Sequence, residues 1–242
     1  MSSRGVERRM ESAVSSTFAI APQSLPSVSR QWVRAHVLAQ VVCLAAAAGV
    51  YGLSQLIGAN DPGASQTLKT VAIALALGGE LIYAVAAAYL RGAVLRQLLP
   101  GFPLLGWSLV VVGYLMVTAM FTTLTGNDAS APLKTSPQIT APILLAGFGF
   151  LAVLGLVFGL AIGAIEALVL RTVARGTGQW IKWSGLAWGG AMLLIYVAGM
   201  VALKNPGLSP FTLALLGGAI KLAFGLVVGA ATLPALTKLT PR

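Results

Sequence analysis

The chain has 242 residues, 57 % of them hydrophobic and 9 % charged, with a mean hydropathy of +0.87. Charged residues make up about a quarter of an ordinary soluble domain, so this composition excludes a water-soluble fold and points to lipid. A net charge of +10 does not make nucleic acid an expected partner, because the basic residues stand singly around apolar segments and do not cluster with aromatics on one face.

Residues 1–30 are polar and rich in serine, with Arg4, Arg8 and Arg9 set against Glu7 and Glu11. Pro22 and Pro26 are expected to interrupt any helix there, which predicts a flexible tail. The stretch AVSSTFAIAP within it is too short and too polar for the apolar segment of a cleaved signal. Residues 31–242 read as an all-α integral membrane domain of six transmembrane helices. The apolar stretches are Val37 to Ile57, Val71 to Leu90, Leu104 to Leu124, Ile143 to Leu170, Trp183 to Leu203 and Phe211 to Leu233. Each can cross a hydrocarbon core of ~30 Å, which takes about 20 residues of helix. The fourth exceeds that length and is expected to tilt or to run past the interface toward Arg171. Turn and breaker clusters separate the stretches, among them Asn60-Asp61-Pro62-Gly63, Pro100-Gly101-Phe102-Pro103, Gly176-Thr177-Gly178 and Asn205-Pro206-Gly207.

The placement of Lys and Arg predicts the orientation. With the N-terminus inside, the inner regions hold Arg4, Arg8, Arg9, Arg30, Arg34, Arg91, Arg96, Arg171, Arg175, Lys182, Lys238 and Arg242, against Lys69, Lys134 and Lys204 outside. By the positive-inside rule both termini face the cytoplasm.

The stretch Gly159–Val173, GLAIGAIEALVLRTV, has weaker copies at Ala84–Leu98 and Gly225–Leu239. Each copy is a small-residue apolar helix running into a basic segment. The period of about seventy residues is the length of a transmembrane hairpin. Three parallel hairpin repeats are therefore expected, at about 31–98, 103–175 and 180–239, related by an axis normal to the membrane. Trp32, Trp107 and Trp183 open the first helix of each hairpin and are expected to be interfacial anchors.

The residues Gly159, Gly163, Glu166, Leu168, Val169, Leu170 and Arg171 resemble a G-x-x-x-G-x-x-Q-W-L-V-L-R pattern. That pattern belongs to poorly characterised polytopic membrane proteins of cyanobacteria and other bacteria, in which it is often repeated and followed by a Trp-led helix. Here Trp180 and Trp183 begin the next helix, while Glu166 replaces the glutamine and Ala167 the tryptophan. The resemblance implies hairpin architecture in a bacterial inner membrane or a thylakoid-type photosynthetic membrane. It carries over no catalytic residue, because those proteins have no settled activity.

Polar residues inside the spans are the candidate sites. Aligning the three copies places Glu80, Gly155 and Lys221 four residues before each motif, so an acid and a base occupy equivalent depths in the apolar core. A charge at mid-helix costs about 2.5–3.5 kcal/mol on insertion scales, so the two are expected to face inward and form an intramembrane pair joining the second and sixth helices. Glu166 with Arg91, Arg96, Arg171 and Arg175 is expected to form a charge cluster near the inner interface. Gly155, Gly159, Gly163, Gly225 and Gly229 recur at four-residue spacing, which lets helix backbones approach closely. They are expected to pack the bundle, with docking to a partner's helix as the other use. Cys43 and His36 are the only residues of their types, which excludes an intrachain disulfide, a thiolate cluster and a His-pair metal site. His36 is a possible ligand to a chlorophyll-type pigment or haem of a partner assembly; no resident cofactor is expected beyond contacting lipid.

No metalloprotease, hydrolase or nucleotide-binding motif is present, so the reading is non-enzymatic. The first expectation is a membrane subunit or scaffold packed among other transmembrane subunits of a photosynthetic or respiratory type of complex. The alternative is a small transporter or substrate-binding module that uses Glu80 and Lys221.

Overall fold

A computed structural model describes residues 25–61, 63–126, 141–205, 207 and 209–242. The part of the polar tail before Leu25 and the connection carrying Lys134 lie outside the described residues. The chain forms helices α1 (Leu25–Leu56), α2 (Gln66–Leu98), α3 (Leu104–Gly126) and α4 (Ala141–Leu170), strand β1 (Ala174–Arg175), helices α5 (Thr177–Lys204), α6 (Pro210–Ala231) and α7 (Leu233–Leu236), and strand β2 (Thr240–Pro241). Helix α1 corrects the expected tail boundary. Pro26 does not interrupt it but sits in its first turn, where the N–H that proline lacks would have had no intrahelical acceptor.

Five helices (α1, α2, α4, α5 and α6) are long and apolar enough to cross a membrane, while the described apolar stretch of α3 is Leu104–Met120. Large apolar side chains cover the outside of the bundle: Leu105, Leu109, Leu145, Phe150 and Phe211 are each at least 66 % exposed. In water such a surface would aggregate; in a bilayer it meets lipid tails. The protein is therefore a helical, multi-pass membrane protein.

Helix ends follow local chemistry. The Ser65 hydroxyl accepts from Leu68 N–H at the start of α2, and the Ser209 hydroxyl from Thr212 N–H at the start of α6, just before Pro210. Gly58, Gly101 and Gly176 turn the chain with positive φ, the last at +82° between β1 and α5. A side chain at Gly176 would also collide with the Lys238 carbonyl. This closeness lets β2 pair antiparallel with β1, and Arg242 N–H adds a bond to Val173 C=O at 3.0 Å. The two-residue strands thus tie the chain's last residues to the α4–α5 turn.

In space the six long helices form a ring in chain order, with α1 packed on both α2 and α6, and α4 packed extensively on α5. Glycines set the tightest seams. A Cβ at Gly155, Gly159 or Gly163 would stand 2.6–2.8 Å from backbone or side-chain atoms of Ser184, Trp188 or Met192 on α5. One at Gly225 would stand 2.7 Å from the Gln40 side chain and 2.9 Å from the His36 carbonyl on α1, and one at Gly229 would stand 3.1 Å from His36 Cβ. Both glycine rows are thus filled by the chain's own helices. Helix α6 meets α1, in place of the expected contact of α2 with α6.

The seam predicts a selective cost. Gly159→Ala forces α4 from α5 and should cost about 1–3 kcal/mol. Gly113→Ala, where a Cβ would meet nothing within 4 Å, should be neutral or mildly stabilising. Thermal melting of the detergent-solubilised protein should show a drop of roughly 3–10 °C for the first substitution only.

Candidate functional site

The sequence places one polar residue at matching positions in each of its three related segments, seven residues after Ala84, Gly159 and Gly225: Arg91, Glu166 and Thr232. The structure brings all three to the centre of the ring, near the end where α2, α4 and α6 finish. Arg91 Nη2 donates to Glu166 Oε1 at 2.5 Å, and its Nη1 to Tyr114 Oη at 2.9 Å. Tyr114 donates to the same Glu166 oxygen at 2.9 Å, and Trp180 Nε1 donates to Glu166 Oε2 at 2.8 Å. Both carboxylate oxygens are therefore satisfied, which is what a carboxylate 1 % exposed requires.

The guanidinium is sandwiched. Its carbon lies 5.7 Å from the Trp32 ring centroid and 5.3 Å from that of Trp107, so two indole faces offset the cation where Nε finds no acceptor. Trp32 and Trp107 each stand edge-on to Trp180, at 5.5 and 6.3 Å between centroids. Trp32 Nε1 donates to Thr232 Oγ1 at 2.9 Å, and that hydroxyl donates to Val228 C=O at 2.8 Å near the end of α6. One connected cluster thus takes a residue from each of α1 to α5 and reaches α6 through the Thr232 cap. Leu95, Leu170 and Leu236, again at matching positions, close the same core.

Several expectations change here. Glu166 is not part of an interfacial cluster: it pairs with Arg91 in the interior, while Arg96, Arg171 and Arg175 are exposed and none of them reaches it. Arg171 instead donates to Thr177 Oγ1 at 3.4 Å. The inward-facing tryptophans are Trp32, Trp107 and Trp180, all at most 1 % exposed, so they are core residues and not interfacial anchors. Trp183 is only partly buried and packs beside Lys182. Tyr114, Trp180 and Thr232 are the residues that the sequence reading missed. Thr232 could have been found by extending the Arg91–Glu166 alignment to the third copy. Tyr114 could have been found as a polar group two turns beyond Trp107 on one helix face.

Above the clasp lies an inner cavity of about 30 Å³, bordered by His36, Arg91, Glu166, Ser184 and Thr232. It has room for a water molecule. His36 faces it, with Nδ1 donating to Trp32 C=O at 3.1 Å and the residue 7 % exposed. That space is far smaller than a macrocycle, so His36 as placed offers no room for a haem or chlorin from inside the bundle. Among the described residues, no three His, Cys, Asp or Glu side chains group as a metal site.

A larger cavity of about 210 Å³ lies further from the basic end. Gln40, Tyr83, Leu115, Trp188 and Phe224 line both cavities, and the Gln40 amide donates to Tyr83 Oη at 3.1 Å across the boundary. Glu80 and Lys221 both line the larger one. They do not form the expected ion pair: among the described residues, the one pair within 4.0 Å is Arg91–Glu166. Lys221 Nζ instead donates to Cys43 Sγ, a weak acceptor, at 3.0 Å. Among the described residues, no hydrogen bond or ion pair reaches the Glu80 carboxylate. Gly155, the third matching position, is occupied by the packing of Trp188 and Met192. A further space of about 340 Å³ between α1 and α2 also borders Cys43 and Glu80.

Compared with protein-family models, curated proteins and solved structures, the chain matches none.

The clasp makes a double-substitution prediction. Arg91→Met or Glu166→Leu alone leaves a buried charge without its partner and should cost about 3–5 kcal/mol, whereas the double variant should cost clearly less than either. Melting temperatures of the three variants in one detergent check the order.

Proposed function

We propose that this chain is a non-enzymatic membrane module that binds, and passes across the bilayer, a small polar solute at the cavity between Glu80 and Lys221. The observation that carries this reading is that an acid and a base line one cavity of about 210 Å³ at mid-helix, yet do not pair with each other. An ion pair serving only to hold helices together would be closed, as Arg91–Glu166 is. A mostly apolar pocket with a few convergent polar groups is the general form of a small-molecule site.

The architecture proposed with it is six spans in three parallel hairpins, both termini cytoplasmic, in a bacterial inner membrane or a thylakoid-type membrane. The 23-residue backbone of α3 supports the sixth span, since it rises about 35 Å. Convergence of Trp32, Trp107 and Trp180, and of Leu95, Leu170 and Leu236, supports the hairpin repeat. Exposed Arg30, Arg34, Arg96, Arg171, Arg175 and Lys182 at one end support the orientation.

The scaffold reading, a subunit of a larger photosynthetic or respiratory type of complex, rests on the apolar exterior, which could meet partner helices as well as lipid. It draws less from the glycine rows, which the chain's own helices fill.

Two measurements separate these readings. Under the transport reading, Glu80→Gln, Lys221→Met and the double variant all lose solute binding or flux in proteoliposomes; under a scaffold role the double variant behaves as well as wild type, and gentle extraction yields a heterogeneous complex by native mass measurement. The orientation is checked in a Cys43→Ser background: cysteine at Asn60 should react with a membrane-impermeant thiol reagent on intact cells, and cysteine at Gln97 should not.

A further inference from the structure

From the charges lining the larger cavity we infer that its guest is a compact zwitterion with an apolar body, of amino-acid size. The inference rests on the solute-binding reading above and names the substrate class of that same site.

The walls come from five helices, α1, α2, α3, α5 and α6, and the cavity is partly open, with Ile195 of its lining 45 % exposed. Two of its lining side chains are of opposite charge type, one acidic and one basic. Glu80 on α2 has no hydrogen bond or ion pair among the described residues, and Lys221 on α6 has only the Cys43 thiol. A full charge in an apolar interior requires a counter-charge. Among the described residues, Arg91 and Glu166 supply one to each other, and none reaches these two.

The sign balance then selects the guest. A simple cation would neutralise Glu80 and leave Lys221 beside it unpaired, adding a like charge to the same space. A simple anion would do the reverse. A solute that carries an ammonium and a carboxylate satisfies both at once and leaves the cavity neutral, which is the electrostatic state of the clasp below. The rest of the lining fits an apolar body: Leu115, Trp188, Ile195, Ile220 and Phe224 present hydrocarbon or ring surface. The volume of about 210 Å³ admits a solute of several non-hydrogen atoms and exceeds what a desolvated inorganic ion fills.

Binding to the purified full chain in nanodiscs, read by isothermal titration, tests this. The probes are leucine and γ-aminobutyrate, each beside counterparts lacking one charge: 4-methylpentanoate and 3-methylbutylamine, butyrate and propylamine. At least one zwitterion should bind at least about tenfold more tightly than both of its single-charge counterparts. Glu80→Gln should erase its advantage over the acid, and Lys221→Met its advantage over the amine, with both variants eluting as wild type in size exclusion. A single-charge solute that binds as tightly as its zwitterion, and whose binding either substitution abolishes, overturns the zwitterion while leaving the cavity in use. If none of the six solutes binds, both the inference and the solute-binding reading fall. Unchanged discrimination in the two variants also overturns the inference, because the charges then play no part in recognition.

Discussion

The ring is organised by the requirement that Arg91 and Glu166 meet. Each is a full charge carried into an apolar bundle on a different helix, and neither can be left there alone. Their contact fixes the relative depth of α2 and α4. Tyr114 and Trp180, by donating to the same carboxylate, bring α3 and α5 to the same level. Two indole faces complete the guanidinium, and one of those indoles ties down the end of α6. In lipid there is no hydrophobic force to choose which apolar helix lies beside which. The clasp supplies that choice: its main contribution is the order and register of the helices, more than net stability.

A second consequence is the contrast between two levels of one bundle. At the level of the clasp, three matching positions hold Arg91, Glu166 and Thr232: the first two pair with each other, and the third bonds Trp32. At the level of the cavity, three matching positions hold Glu80, Gly155 and Lys221. There glycine lets Trp188 and Met192 close one side while the two charges border open space. One level of the bundle is sealed and the other leaves room. Gln40 and Tyr83, bonded to each other, stand at the boundary between the two levels.

Much of this was legible in the sequence, for identifiable reasons. Helices show in a sequence whose spans are apolar all round, and the breaker clusters around Pro100 and Gly176 located turns that the structure forms with positive-φ glycines. The depth equivalence of Glu80 with Lys221, and of Arg91 with Glu166, followed from alignment alone. Which of these pairs closes did not, because helices about 10 Å apart can present equivalent residues toward or away from each other with the same spacing. Position 166, where the resembled pattern has glutamine, already marked the unusual residue. Its burial does not show in the spacing, because five residues separate it from the exposed Arg171, and a helix end can turn from core to surface within that distance. The inward tryptophan of the third segment is Trp180 and not Trp183 for a similar reason: the two lie three residues apart on one helix, and spacing favoured the wrong member by a few residues.

The sequence separation of the clasp also orders the protein's biogenesis. Arg91 and Glu166 are 75 residues apart in the chain. At synthesis rates of about 5–20 residues per second, the arginine is made roughly 4–15 s before its partner. In that interval α2 must be held where its cation stays hydrated, at the membrane surface or within the insertion machinery, and it can settle to its final depth only after α4 arrives. Until then Arg91 lacks its carboxylate partner. The clasp can close only once α4 has followed α2 into the bundle and delivered its carboxylate.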